Sequence, residues 1–105
     1  MGPKSTQLLS LIDDAATLMR GVGEDHWAGW LERDAGLIRA GDFHGVQHFC
    51  SAFGGMGSIT DLRIHPLNDH RVAESEISSL NERLGGLLGR AHDLARELIR
   101  ERAGG

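Results

Sequence analysis

Apolar residues recur at helical spacing in four separate stretches of this chain. In residues 5–22 they fall at Leu8, Leu9, Leu11, Ile12, Ala15, Ala16, Leu18, Met19 and Val22. Such a broad stripe predicts an amphipathic helix. Ser5 or Thr6 is placed to cap its start, and Gly21 and Gly23 punctuate its end. In residues 25–40, Trp27, Trp30, Leu31, Ala35, Leu37 and Ile38 repeat the pattern, with Asp25 as the expected N-cap. Gly41 stops this helix and Asp42 caps the next, so a sharp corner or antiparallel hairpin is predicted. In residues 43–53, Phe43, Val46, Phe49, Cys50 and Phe53 share a face that carries most of the aromatic volume and marks the expected centre of the core.

The fourth stretch, residues 75–102, is the longest. Ile77, Leu80, Leu84, Leu87, Ala91, Leu94 and Leu98 alternate steps of three and four, an a/d heptad pattern. Ser75 is the expected cap. At 1.5 Å per residue such a helix spans about 40 Å, more than the other three. Its far end is therefore expected to meet another chain, lie open or fray. Packing within the chain and a homodimer through this C-terminal helix are expected together. Gly85, Gly86 and Gly89 interrupt the pattern. Each costs about 1 kcal/mol against alanine in a helix, which predicts a close backbone neighbour as the offset.

Between the third and fourth helices, residues 54–74 break the helical period. Ile59, Thr60, Leu62 and Ile64 suggest a short extended strand. Pro66 and Asn68-Asp69 are turn chemistry. A loop of this length in a small domain is unusual and tends to be functional. The fold class predicted is therefore mostly α: a single four-helix domain over residues 1–105, with an irregular glycine-rich segment before a long C-terminal helix.

Length and composition fit one soluble domain: 105 residues, 40% hydrophobic and 25% charged. The net charge is −4, and the acidic excess lies in residues 1–74, with ten acidic and six basic side chains. This argues against nucleic acid, which selects a basic stripe, and leaves room for a basic protein partner. One cysteine, Cys50, excludes an intrachain disulfide and fits a reducing compartment. No apolar run reaches the length of a membrane span and the N-terminus has no signal-peptide core, so a cytoplasmic location without membrane attachment is expected.

Chemistry is thin. Gly54-Gly55-Met56-Gly57-Ser58 resembles an anion nest, but phosphate loops run strand, glycine loop, helix, and no lysine is present here. The plain alternative is a helix C-cap and tight turn that folds Met56 back onto the core. His44 and His48 stand four apart, the spacing of helical metal pairs, with His65, His70 and Asp61 as further candidate ligands. The signature of a helical metalloprotease is missing, and surface histidines are the simpler reading of the pair, so no metal site is expected. Trp27 and Trp30 suit a pocket wall or plain packing. Cys50 on an apolar face is expected to be inert.

Phe53-Gly54-Gly55-Met56-Gly57-Ser58-Ile59-Thr60-Asp61-Leu62 resembles the signature of a family of small, uncharacterised bacterial proteins. In that family an early tryptophan and a Gly-Asp step precede the motif, matched here by Trp27 or Trp30 and by Gly41-Asp42. The family commonly has asparagine where Thr60 stands. The resemblance implies no activity and no cofactor. The chain thus reads as a non-enzymatic, immunity- or adaptor-like protein-binding module, with Gly54, Gly55, Met56, Gly57, Ser58, Asp61 and Trp27 as candidate binding residues and an unknown protein as partner. The alternative is a small ligand-binding domain or enzyme beside the loop 54–62, built on Asp61, Ser58, Trp27 and His65.

Overall fold

All four helical stretches form, with their ends shifted by local cap chemistry. A computed structural model describes residues 1–104. The helices are α1 (Pro3–Gly21), α2 (Asp25–Arg39), α3 (His44–Cys50) and α4 (Ile77–Gly104). Helix α1 starts earlier than Ser5 or Thr6 would place it. Pro3 sits in the first turn, where its fixed φ suits a helix and its missing N–H costs nothing. Glu24 rather than Asp25 caps α2, its carboxylate accepting from the Trp27 N–H at 3.1 Å. The N-cap of the third helix is Phe43, one residue later than expected, and the Asp42 carboxylate before it accepts from the His44 N–H at 2.9 Å.

Helix α3 is shorter than the apolar face suggested. It stops at Cys50, and the chain tightens to three-residue hydrogen bonds, Ala52 N–H to Phe49 C=O and Phe53 N–H to Cys50 C=O, both 3.1 Å. Phe53 keeps its place on the face, edge-on to Phe49 with ring centres 5.1 Å apart.

The expected strand is absent: among the described residues there is no β-strand. Ile59–Asp61 forms a single 3-10 turn, followed by two more at Pro66–Asn68 and Glu74–Glu76. Ser75 lies inside the last of these and caps nothing. The extended backbone at Leu62–His65 is held by side chains instead of a neighbouring strand. No described helix is long and apolar enough to cross a membrane.

Helix α1 packs on α2 and α4, and α3 bridges α2 to α4. Leu8, Ile12 and Met19 of α1, Leu31 of α2 and Phe49 of α3 are fully buried together with Ile59 and Ile64 of the irregular segment. Burying each such side chain contributes roughly 1.5–3 kcal/mol.

In α4 the buried residues are Leu84, Leu87, Leu88, Ala91 and Ala95. The heptad positions Ile77, Leu80, Leu94 and Leu98 are only half-buried. This is the wider stripe of a helix lying against a globular core. The far end of α4 lies open, with residues 100–104 exposed, and contacts within the chain tether it. Lys4 of α1 pairs with Glu97 at 3.6 Å and with Glu101, and the Arg102 guanidinium lies 4.3 Å from the centre of the Phe43 ring. The long axis of the molecule, 47 Å, follows from the length of this helix.

One glycine sets the distance between α2 and α3. A Cβ added at Gly45 would lie 2.8 Å from the Asp34 carbonyl oxygen, 2.8 Å from Ile38 Cγ1 and 2.9 Å from Leu37 Cβ. A Gly45→Ala variant is therefore expected to lose about 1–3 kcal/mol in urea unfolding, the cost of overpacking. Gly36→Ala, whose Cβ would meet nothing within 4 Å, should instead gain up to about 1 kcal/mol of helix propensity. Equal effects from the two variants would refute the close-approach assignment.

Candidate functional site

The glycine loop is a latched turn. Gly54, Gly55 and Gly57 have φ of +90°, +80° and +77°, values that a side chain at Cβ disfavours. No Cβ at these positions would meet another atom within 4 Å, so their conformation and not crowding selects glycine. The Gly57 N–H donates to Asp61 Oδ2 at 2.8 Å. The Asp61 carboxylate thus occupies one backbone donor of the loop from within the chain. Ser58 Oγ bonds Thr60 Oγ1 at 2.6 Å, and the Ile59 N–H reaches back to the Ala52 carbonyl at 2.9 Å. Met56 does not fold back onto the core. It stands fully exposed at the tip.

Beside the loop runs a groove of about 310 Å³ between the Ile59–Leu62 turn and α4, with walls from Phe53, Leu62, Leu88 and His92 and a bed from Gly85 and Gly89. His92 stacks flat on Phe53, ring centres 4.1 Å apart and planes 4° from parallel. Burial, aided by the nearby Arg96, pushes the His92 pKa below its usual range, against a smaller opposing effect of Asp93. The close neighbour expected at the α4 glycines is missing, since a Cβ at Gly85, Gly86 or Gly89 would meet no atom within 4 Å.

Of the predicted site residues, Gly54 to Asp61 are brought together. Trp27 is not part of the groove lining. Its ring packs on α2 against His26, at 4.8 Å, and Trp30, at 5.2 Å. His65 also turns elsewhere, its Nδ1 accepting from the Leu67 N–H at 3.0 Å. The constellation of Asp61, Ser58, Trp27 and His65 therefore does not share one cavity. Cys50 is half-buried, and burial raises its thiol pKa, as an inert packing residue requires.

The second cluster lies where α2 meets α3. Asp34 is completely buried, and its Oδ1 sits 2.5 Å from His48 Nδ1. The His48 ring stacks on Trp30 at 4.3 Å. Asp34 Oδ2 and Trp30 Nε1 are buried without a hydrogen-bond partner. Desolvation lifts the Asp34 pKa to about 6, with the His48 hydrogen bond and charge pulling the other way. His48 is therefore not the plain surface histidine that the sequence suggested, whereas the His44 side chain is 82% exposed. The signal for Asp34 was in the sequence: an acidic residue on the apolar stripe of α2, between Leu31 and Ile38.

His70 was weighed as a ligand and is structural. Its side chain is 2% exposed. Nδ1 accepts from the His65 N–H at 3.1 Å, so the proton sits on Nε2, which donates to Glu24 Oε1 at 3.0 Å. Among the described residues no group of three or more His, Cys, Asp or Glu side chains is placed to hold a metal ion.

The buried carboxylate predicts a pH dependence. Between about pH 4 and pH 6 the unfolded Asp34 is ionised while the folded one still holds its proton. Stability attributable to this group is thus present below the window and lost as pH rises through it. Unfolding free energies of the wild type minus those of Asp34→Asn, measured in metal-free buffer, should fall from pH 4 to 6 and then level. A difference that is flat or rises would refute the assignment.

Neither a curated protein nor a solved structure matches this chain. Residues 20–73, a little over half of it, match a family profile described as "Domain of unknown function (DUF6966)". The match spans α2, α3, the glycine loop and His70, and the chain belongs to this family.

Proposed function

We propose that the chain is a non-enzymatic protein-binding module of the bacterial cytoplasm, immunity- or adaptor-like, that docks a partner in the groove between the glycine loop and α4. The observation that carries this reading is the bed of the groove. Gly85 and Gly89, which line it, weaken α4 by about 1 kcal/mol each, yet no atom of the chain lies within 4 Å of where their Cβ atoms would be to use that space. A partner backbone lying against them would. Met56, held out on the latched loop with its side chain fully exposed, adds a flexible and polarisable contact. The net charge of −4 favours encounter with a basic partner. The occupant proposed is an apolar side chain on an extended or helical segment of another protein.

The alternative is a small molecule in the same groove. It is favoured by the stacked His92–Phe53 wall, which would offer a neutral imidazole beside an aromatic face.

Two variants test the docking face without touching the core. Met56→Lys alters an exposed side chain, and Gly89→Leu fills the groove from a helical position with free space at Cβ. Both should keep the wild-type helicity. A protein retained by the wild type and lost by both variants supports the reading. A protein retained equally by all three, or none at all, overturns it. A small molecule in the native mass spectrum of the wild type alone favours the ligand reading, and dimer mass in light scattering assigns the groove to a second copy. Independently, Gly85→Ala, Gly86→Ala and Gly89→Ala should each raise stability by up to about 1 kcal/mol in urea unfolding. A loss of stability would mean that these glycines serve the fold.

A further inference from the structure

We propose that His44 and His48 form a binding site for a transition-metal dication that favours imidazole, such as Zn²⁺, Ni²⁺ or Cu²⁺, with their Nε2 atoms as ligands. The two residues are four apart on α3, which places them on one face, their Cβ atoms roughly 6 Å apart. Each has a carboxylate behind its ring. Asp34 Oδ1 lies 2.5 Å from His48 Nδ1, and Asp42 Oδ1 lies 3.4 Å from His44 Nδ1.

A histidine that binds a metal through one nitrogen usually donates the other N–H to a carboxylate or carbonyl, which fixes the tautomer and raises the basicity of the ligating atom. Asp34 is suited to that task because it is immobile. It is fully buried, its backbone is packed against Gly45, and its second oxygen has no other partner. The Trp30 ring, stacked on His48, fixes the other face of the imidazole. With Nδ1 engaged, Nε2 is the free nitrogen of His48, and the ring is 35% exposed. His44 is far more exposed and can turn to complete a pair. Asp34 and Asp42 place two negative charges behind the site. Arg33 beside Asp34 and Arg102 in the shallow groove that His44 also lines oppose them.

Two protein ligands leave the remaining positions on the ion to water. Imidazole nitrogens select borderline ions over magnesium or calcium. This inference does not rest on the docking reading, since the two clusters are separate.

The test uses the full chain, freed of metal and purified without a histidine tag. Zn²⁺ is titrated by calorimetry, and Cu²⁺ is titrated while tryptophan fluorescence is followed, because an ion on His48 sits against the Trp30 ring. One ion per chain and saturable quenching are expected. His44→Ala, at an exposed position, should fold normally and weaken binding at least tenfold. Asp34→Asn keeps a hydrogen-bond acceptor for Nδ1–H and should weaken it by about 10–100-fold, the usual effect of losing an outer-shell carboxylate. Unchanged affinity in His44→Ala, or an equal response to Mg²⁺, overturns the site. So does saturable binding without quenching, which would place the ion on other histidines.

Discussion

Between Ser51 and Glu76 the chain has only three-residue 3-10 turns and no strand ladder, so side chains from the framework supplement its local backbone bonds and the bond from the Arg71 N–H to the Val22 carbonyl at 2.8 Å. Asn81 of α4 is the main device. Its Oδ1 accepts from the Ile64 N–H at 2.8 Å, and its Nδ2 donates to the Ile64 carbonyl at 2.9 Å and to the Ile77 carbonyl at 2.8 Å. One amide thus stands in for a neighbouring strand at the point where Ile64 enters the core with no exposed surface. An unpaired buried amide or carbonyl would cost about 1–3 kcal/mol. Glu24 works at the other end of the segment. One carboxylate oxygen caps α2 and the other holds His70, which in turn holds His65. The irregular segment is therefore tied to α2 and α4 by specific bonds, and its 3-10 turns and the groove beside them have fixed positions.

The same logic governs the corner between α2 and α3. The connection from Ala40 to Phe43 is short, so α3 must return directly over α2. Gly45 permits the contact by leaving room for the Asp34 carbonyl and the Ile38 and Leu37 side chains. That contact seals the Asp34 carboxylate from water and brings His48 over Trp30. The buried pair is thus a consequence of helix packing, and the packing depends on the absence of one methyl group.

The helices were legible because apolar periodicity is a local property, and each element carries its own stripe. The left-handed turns at Gly54, Gly55 and Gly57 were legible too, since few other residues adopt that backbone. The strand reading of Ile59–Ile64 failed because apolar side chains in a short run report burial and not ladder bonding, and Asn81 supplies the bonding from 17 residues away. His70 and Glu24 are 46 residues apart in the chain, and nothing local marks either as the other's partner. His48 misled for a related reason. It was read as a surface residue, but its ring packs on Trp30 and Asp34 of α2 and is only 35% exposed. Asp34 was the readable clue, because an acidic residue on an apolar stripe requires a partner when it is buried.

Asp34 and the α4 glycines have one thing in common. Both lower the stability of the chain without an evident return inside it. A buried carboxylate with one unpaired oxygen is less favourable than an apolar residue of similar volume would be, and alanine would serve α4 better than glycine at Gly85, Gly86 and Gly89. Local conflicts with the fold are where function is expected to lie, because everywhere else residue choice and structure agree. The two conflicts differ in kind. The glycines leave open space, since a Cβ at any of them would meet no atom of the chain within 4 Å. Asp34 leaves no space and instead fixes the direction and tautomer of a half-exposed imidazole. The first is what recognition of a surface needs, and the second is what a ligating or proton-accepting nitrogen needs. The family match includes α2 and α3 but ends before α4. The Asp34–His48 pair therefore belongs to the part of the chain shared with the family, whereas the bed of the groove lies outside it.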